Sequence, residues 1–358
     1  MSGNGVTRRE MLRLMALAAV GAVAAACQRQ VLGGGNDGAP PAEPLTRGSG
    51  QGPSHAPPFK YESPVAITPV DQFYEVSYSP LVPQIQAATW NLLVTGEVEH
   101  PITLTLSDIT GMPSVEEMRT LECISNPAGG DLISNAVWRG VRLKDVLERA
   151  GLRPTAREIV IYSADDYHTS IPIELALNDH SLLVYWMNGG DLPAEHGYPL
   201  RALWPGRYGM KQPKWIVRLE AISGHHTGYW EAQGWSDQAI IKPNSRIDAP
   251  DRGVDLRTGE AVVISGVAYS TDVGIARIEV STDDGQSWAE AELTRGPSPL
   301  VWTEWRYRWE NPPPGRHVLR ARVTDNAGSI QTTGGFSLLG GTFPDGTSAM
   351  PEVIVNVK

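Results

Sequence analysis

The chain has 358 residues, of which 41% are hydrophobic and 20% charged, and it is rich in Gly (37), Pro (28) and Trp (11). This length predicts roughly two or three domains, and the abundance of turn-forming residues favours sheets over helices. The net charge of −10 argues against nucleic acid, and against an anionic membrane surface, as a partner, because both require a basic surface.

The first 27 residues are predicted to be an export signal. Arg8 and Arg9 precede an uncharged run, residues 14–26, that is too short to span a membrane. The arginine pair is typical of a twin-arginine signal, and Cys27 after three alanines is typical of a bacterial lipoprotein signal. An ordinary cleaved signal and an uncleaved apolar anchor are the alternatives. We therefore expect an exported, extracytoplasmic protein, held by lipid at the outer face of the cytoplasmic membrane, with a flexible Gly/Pro linker over residues 28–58.

Residues 59–247 are predicted to form one mixed α/β domain. Apolar periodicity indicates strands at residues 88–97, 102–106, 158–163, 182–187 and 215–222. A short helix is expected at residues 143–150, ended by Gly151, and another within residues 170–176.

Residues 248–358 are predicted to form an all-β, immunoglobulin-like sandwich. Short strands recur at regular spacing, at residues 261–269, 275–281, 287–293, 302–309 and 317–324. Turn sequences stand at residues 283–285 and 325–328. Because no catalytic group of residues is visible there, we expect this domain to serve structure or an interface.

Cys123 is the candidate reactive residue. It follows a short strand-like run and precedes a loop of Asn, Pro and Gly, which predicts a side chain held at the end of a strand. A small buried hydrophobic residue is the alternative. If Cys27 carries lipid, Cys123 is the one thiol of the mature protein, and outside the cytoplasm a lone thiol is open to oxidation. A bound cofactor would protect such a thiol. The twin-arginine signal also favours a cofactor at Cys123, because this pathway exports proteins that have already folded.

Four blocks of sequence resemble the sulfite oxidase family of molybdenum enzymes. They are LECISN at residues 121–126, the Asn, Trp and Gly pattern of residues 135–143, SIP at residues 170–172, and residues 196–206 followed by Lys214 and Trp215. The resemblance covers residues 61–358 and implies an α+β fold class, a mixed α/β molybdopterin-binding domain followed by an immunoglobulin-like dimerisation domain. It also implies a molybdenum–molybdopterin cofactor, with Cys123 as the protein's ligand to the metal, for which a soft thiolate is suited.

The same resemblance assigns residues to the cofactor's organic part. Arg201 and Lys214 match the family's phosphate ligands. The guanidinium of Arg201 is a planar fork, and the ammonium of Lys214 is a point charge. His196 matches a histidine of the pterin pocket, and Asp165 an acid that accepts from pterin N–H groups. Gln212 replaces a histidine that contacts the cofactor.

The chain departs from the family pattern at the substrate pocket. Val76 and Ala128 stand where the resemblance leads us to expect arginines, and Trp235 stands where a catalytic tyrosine is expected. A further arginine has no evident counterpart in residues 334–345. We therefore expect an apolar pocket unsuited to a dianion, and residues 73–75 look closer to the family's periplasmic methionine-sulfoxide reductases.

The leading hypothesis is oxygen-atom transfer to or from a small-molecule substrate, with a sulfoxide or N-oxide favoured. A sulfite dehydrogenase with an altered pocket is the first alternative, and a non-catalytic tethered binding module is the second. The sequence holds no Cys-x-x-Cys-His haem motif, so we expect electrons to pass to an external carrier, a cytochrome or a quinol protein. The resemblance also implies a homodimer.

Overall fold

The structure is a computed structural model, and it describes residues 61–332 and 341–358. The predicted signal and linker, residues 1–58, lie outside the described residues, as do residues 334–340 of the loop that has no evident counterpart of the family's arginine. Of the described residues, 61–75, 81–332 and 341–358 belong to one compact unit, and residues 76–80 are assigned to another. Within the described ranges, no helix is long and apolar enough to cross a membrane.

The first domain contains two sheets and three short helices. Its strands are β1 (Asn91–Gly96), β2 (Ile102–Thr105), β3 (Ser114–Glu122), β4 (Ile133–Arg142), β5 (Glu158–Ser163), β6 (His168–Pro172), β7 (Leu182–Met187), β8 (Gly190–Asp191), β9 (Arg201–Leu203) and β10 (Ile216–Ile222). Its helices are α1 (Leu106–Thr110), α2 (Leu143–Ala150) and α3 (Ile173–Ala176), and single 3-10 turns lie at Val70–Gln72, Gly209–Lys211 and Glu231–Gln233.

One sheet has the strand order β2-β1-β10-β5-β6, and the other has the order β3-β4-β7-β8 with β9 paired to β7. Leu92, Ile159 and Leu219 of the first sheet share a buried core with Val141 and Leu183 of the second. Both sheets therefore close on one apolar interior, the main stabilising contribution to the fold.

Local sequence signals explain the helix ends. Helix α2 buries Leu143, Val146 and Leu147, and it ends as predicted at Gly151, whose left-handed φ of 69° needs no side chain to be accommodated. Helix α1 was not predicted. Thr105 caps it, because its hydroxyl oxygen accepts from Asp108 N at 3.1 Å while Asp108 accepts from Thr105 N at 2.8 Å. This capping box starts the helix at Leu106, so the strand predicted at residues 102–106 ends one residue earlier, at Thr105.

Strand β4 was also missed, and its burial gives the reason. Eight of its ten residues are buried, so both faces are covered and the sequence shows no alternation of polar and apolar residues. Strand β4 pairs antiparallel with β3, with Glu122 opposite Ile133. The loop of residues 123–132 therefore joins two buried strands, and Cys123 is its first residue.

The second domain is a sandwich of two sheets, as predicted. Its strands are β11 (Asn244–Ala249), β12 (Asp255–Leu256), β13 (Val262–Tyr269), β14 (Ile275–Ser281), β15 (Ala289–Glu290), β16 (Glu292–Arg295), β17 (Thr303–Trp309), β18 (Gly315–Asp325) and β19 (Glu352–Val357). The sheets have the orders β11-β13-β17-β16 and β12-β19-β18-β14-β15. Ile264, Ile278 and Leu319 are fully buried between them.

Two details of this domain differ from the expectation. The predicted strand 287–293 is split, because β15 pairs with β14 in one sheet and β16 pairs with β17 in the other. Strand β11 crosses the predicted domain boundary at residue 247 and pairs with β13. The sandwich therefore begins no later than Asn244, and the polar sequence of β11 gave no strand signal.

Candidate active site

Cys123 lies at the end of β3, where backbone hydrogen bonds fix its position. Its N–H donates to Leu132 O, and its carbonyl oxygen accepts from Asn126 N, both at 3.0 Å. Its Sγ lies 3.1 Å from Ser125 Oγ, and the residue is buried at 8% exposure. Among residues 61–332 and 341–358, no group of three or more His, Cys, Asp or Glu side chains could hold a metal ion.

Buried polar side chains brace the loop that begins at Cys123. Asn126 Oδ1 accepts from Leu132 N at 3.1 Å, and its Nδ2 donates to Glu122 Oε1 at 3.0 Å. The other oxygen of Glu122 accepts from Asn244 Nδ2 at 2.8 Å, so a strand of the second domain supports the loop. Burial raises the pKa of Glu122 to about 7, although both amides favour its charged form.

The charge of Cys123 acts on three buried tyrosines. Burial and then the charge of Cys123 raise the pKa of Tyr74, while Arg201 lowers it. Burial is likewise the first cause of the raised pKa of the other two rings, and Cys123 contributes to each. At neutral pH all three hydroxyls keep their protons and can donate hydrogen bonds. The three residues are Tyr74, Tyr167 and Tyr208.

Gly197 lies between Arg201 and Lys214, and because it has no side chain, the Cβ atoms of both residues can pack closely against it. Gly197 has a φ of +112°, and a Cβ there would lie 2.9 Å from Lys214 Cβ and 3.0 Å from Arg201 Cβ. Arg201 Nη1 donates to His196 O at 3.0 Å, and Lys214 Nζ donates to Glu195 O at 2.8 Å. The structure thus places two predicted phosphate ligands and the predicted pterin-pocket histidine in one cluster.

The electrostatics of this cluster fit an anion. Burial lowers the pKa of Arg201 to about 10, and burial and then Arg201 lower the pKa of Lys214 to about 8. Burial and then Arg201 also lower the pKa of His196 to about 4, so its ring is neutral at pH 7. Arg201 Nε is buried and has no hydrogen-bond partner in the described protein. A phosphate group would satisfy that donor and relieve the repulsion between the cations.

Asp165 lies beside this cluster, and Gln212 is engaged elsewhere. Asp165 Oδ1 accepts from Tyr167 N at 3.2 Å, and burial raises the pKa of its carboxyl while Lys214 opposes the rise. The side chain of Gln212 is committed to the backbone: Oε1 accepts from Trp204 N at 3.2 Å, and Nε2 donates to Arg207 O at 2.6 Å. A cofactor contact from Gln212 would therefore come from its backbone.

The predicted pocket residues have different surroundings. Trp235 packs against the cluster that includes Ile124 and Tyr208, and its ring meets that of Phe343 edge-on at 5.2 Å. Ala128 is exposed and lines a narrow cleft that also includes Glu122. Val76 belongs to the separate segment Val76–Pro80.

The sequence interpretation missed Glu122, the tyrosines around Cys123 and Phe343. Tyr74 lies within residues 73–75, which resemble the family's reductases, but the sequence did not predict a place for it near Cys123. Glu122 directly precedes the candidate ligand, and that position was the available signal; its charge alone was not, because β3 also carries Glu116, Glu117 and Arg119. Tyr208 and Phe343 gave no such signal, because only the fold brings them to the site.

Comparison with known proteins identifies the family. A model described as oxidoreductase molybdopterin binding domain matches residues 79–230, and one described as Mo-co oxidoreductase dimerisation domain matches residues 237–311. The uncharacterized oxidoreductase YuiH of Bacillus subtilis is 34% identical over 163 residues, which cover 45% of this chain and 80% of that protein. Sulfite oxidase of Arabidopsis thaliana is 29% identical over 308 residues, which cover 72% of this chain and 78% of that protein.

A solved structure supports the same architecture. The sulfane dehydrogenase SoxCD from Paracoccus pantotrophus superposes with a TM-score of 0.69 at 23% identity, covering 82% of this chain and 83% of that one. The predicted fold class and cofactor are thus confirmed, and the alternative of a non-catalytic binding module is excluded. The chain belongs to the sulfite oxidase family of molybdenum-dependent oxidoreductases, and it is an enzyme with a molybdenum–molybdopterin cofactor.

Proposed function

We propose that this enzyme removes an oxygen atom from a small neutral sulfoxide or N-oxide. A sulfoxide would take up two electrons and two protons, lose its oxygen as water and leave as a thioether. Oxygen-atom transfer and two-electron exchange are the chemistry that the molybdenum cofactor supplies when it is bound.

The sign of the charge around Cys123 carries this proposal. After burial, the groups that raise the pKa of the three tyrosines include, besides Cys123, the acids Glu231, Asp165 and Asp345. Glu122 also contributes, but its carboxyl is only about half ionised at pH 7 because burial raises its pKa to about 7. Arg201 opposes them at Tyr74, and Lys211 Nζ pairs with Glu231 at 2.6 Å. In the part of the chain that the structure describes, these surroundings offer a dianion such as sulfite little positive charge to replace its lost hydration.

The protonated tyrosines suit a neutral substrate. Tyr208 Oη accepts from Lys242 N at 3.1 Å, which leaves its proton available to donate. Tyr167 Oη donates to Met210 O at 2.5 Å, so its ring is held and its proton is already used. We assign Tyr208 to donate to the substrate's oxygen, and Tyr167 to position the wall beside Cys123.

Sulfite dehydrogenation is the second candidate function. The relative named sulfite oxidase in Arabidopsis thaliana aligns over 72% of this chain, which supports an activity on sulfite. The charge argument above favours the neutral substrate.

A substrate panel on molybdenum-loaded protein tests the choice. Sulfoxides and N-oxides are supplied with a reduced dye, and sulfite with an oxidised one. We expect kcat/KM for at least one neutral substrate to exceed that for sulfite at least tenfold, at low substrate and physiological salt. Efficient sulfite oxidation with no turnover of any neutral substrate would establish the second candidate instead.

We also propose that the enzyme is exported, anchored through Cys27 and active as a homodimer. The dimerisation model at residues 237–311 supports the dimer, and Arg8, Arg9 and Cys27 support export and lipidation. Electrons would come from an external cytochrome or quinol protein. Mass spectrometry of the membrane fraction tests the anchor: a lipidated N-terminal peptide is expected, and loss of lipid but not of export is expected for Cys27→Ser.

A further inference from the structure

A turn of the second domain, Gly341 to Gly346, lies against a tyrosine of the active site. Gly346 N donates to Thr342 O at 2.6 Å and closes the turn. Gly341 and Gly346 have left-handed φ values of 77° and 74°. A Cβ on Gly346 would lie 2.5 Å from Tyr208 Oη, so the backbone of the turn touches Tyr208 directly.

The turn is also tied to the chain on the other side of Tyr208. Ser236 N donates to Pro344 O at 3.0 Å, and Lys242 Nζ donates to Gly346 O at 3.3 Å. Burial is the main cause of the raised pKa of Tyr208, and the charges of Cys123 and Asp345 add to it. The turn therefore packs on Tyr208, which belongs to the same buried cluster as Ile124, the residue next to Cys123.

Phe343 is the residue that this turn presents. Its ring meets Trp235 edge-on, with centroids 5.2 Å apart and planes at 80°. Gly234 permits the approach, because a Cβ there would lie 3.2 Å from Phe343 Cζ and its φ of +94° suits glycine. Even so, Phe343 is 42% exposed. The Phe343 ring is held by Trp235 and is still partly exposed to solvent, so it offers a surface to an apolar ligand.

We propose that Phe343 and Trp235 form an apolar subsite that binds a large substituent of the substrate and so determines its specificity. This inference rests on the proposed reduction of a neutral oxo substrate. It narrows the class to sulfoxides, or N-oxides, that carry an aryl or extended alkyl group, in preference to dimethyl sulfoxide. The polar oxygen would face the tyrosine hydroxyls, and the apolar group would lie along the Phe343 and Trp235 rings.

The test compares ligands that differ only in the substituent. Calorimetry on the molybdenum-loaded protein measures the Kd of methyl phenyl sulfone and of dimethyl sulfone, which lack a sulfoxide to reduce. Steady-state assays measure kcat/KM for methyl phenyl sulfoxide and dimethyl sulfoxide. Wild-type protein is expected to prefer the phenyl compound in both measurements.

Phe343→Ala should reduce that preference about five- to tenfold, in line with the loss of one aromatic contact. Trp235→Leu should reduce it similarly without altering the turn, which guards against misfolding of the first variant. Val263→Ala removes an equally exposed apolar side chain from β13 of the same domain, where 47% of the residue is exposed, and should leave the preference unchanged.

The outcomes separate the two proposals. If sulfoxides are reduced but the phenyl preference is absent, or survives in both aromatic variants, the subsite is overturned while the proposed function stands. If no sulfoxide or N-oxide is reduced but Phe343→Ala and Trp235→Leu both weaken the binding of the phenyl sulfone, the proposed function fails while the apolar subsite stands. Equal weakening by Val263→Ala would overturn the subsite in either case.

Discussion

Glu122→Gln should remove a pH dependence from the stability of the cofactor-free protein. The carboxyl of Glu122 is buried, and burial raises its pKa from 4.5 to about 7. The folded state therefore keeps a proton that the unfolded state loses between those two pH values. Stability from this group is fully present below pH 4.5 and declines as the pH rises toward 7, by about 3 kcal/mol in total.

Glutamine has no proton to lose, so the decline should vanish in the variant. Its absolute stability will also change, because Asn126 and Asn244 both donate to Glu122 and a carboxamide can accept both only on its single oxygen. The informative quantity is thus the slope against pH, and not the stability at any one pH. Urea unfolding followed by tryptophan fluorescence at several pH values between 4.5 and 8 provides it.

The exposed Glu290→Gln serves as the control for removing a carboxylate at the surface, and its curve should run parallel to the wild-type curve. The difference between wild type and Glu122→Gln should change by about 3 kcal/mol across the window, with at most about 1.4 kcal/mol per pH unit. A constant difference would show that Glu122 is ionised in the folded protein, and the account of its burial would then be wrong.

Three further changes test the cofactor and pocket assignments. Cys123→Ser should leave a folded protein without turnover, because an alcohol is a harder ligand than a thiolate; wild-type turnover would refute the ligand assignment. Arg201→Ala and Lys214→Ala should each weaken cofactor binding by about 1.5–3 kcal/mol, Arg201→Lys should restore binding only in part, and Arg218→Ala at the surface should not affect it; full pterin content in the double Ala variant would contradict both roles. Ala128→Arg should raise kcat/KM for sulfite about two- to fivefold at low salt only, compared with Ala128→Gln, and an equal gain at high salt would contradict an electrostatic cause.

Much of the fold could be predicted because many strands carry their own periodicity. The strand Ile275–Ser281 was predicted with its observed ends, and so were Glu158–Ser163 and Leu182–Met187. Strand β4 is buried on both faces and so lacks alternation. Polar residues such as Ser134, Asn135 and Arg139 also interrupt the continuous apolar run by which Leu182–Met187, likewise buried on both faces, was predicted. The change of sheet between β15 and β16 is a tertiary effect that a seven-residue apolar pattern does not encode.

The residues of the candidate site also fall into two groups, those that a sequence motif locates and those that only the fold brings together. Cys123, Arg201 and Lys214 lie in short motifs, so a resemblance could locate them without knowledge of the fold. Tyr208 and Phe343 are separated by more than a hundred residues, and they come to the same region only because the turn that carries Phe343 packs on Tyr208 through Gly346. Each alone has the sequence signature of an ordinary aromatic residue of a core or a loop.

The two ends of the site explain how one fold can keep its cofactor and change its substrate. Arg201 and Lys214 give the cofactor end a positive charge that an anion must balance, and Gly197 fixes their spacing through backbone geometry. The proposed substrate end contains tyrosines and acids, and the turn that carries Phe343 contacts Tyr208 there through Gly346. Substitutions at Ala128, Trp235 or Phe343 leave in place the hydrogen bonds of Arg201 and Lys214, which go to backbone oxygens of His196 and Glu195. The proposed change of substrate would therefore require no change in how the cofactor is held, which agrees with a match to the family beside a sequence that differs from the family's pattern at Val76, Ala128 and Trp235.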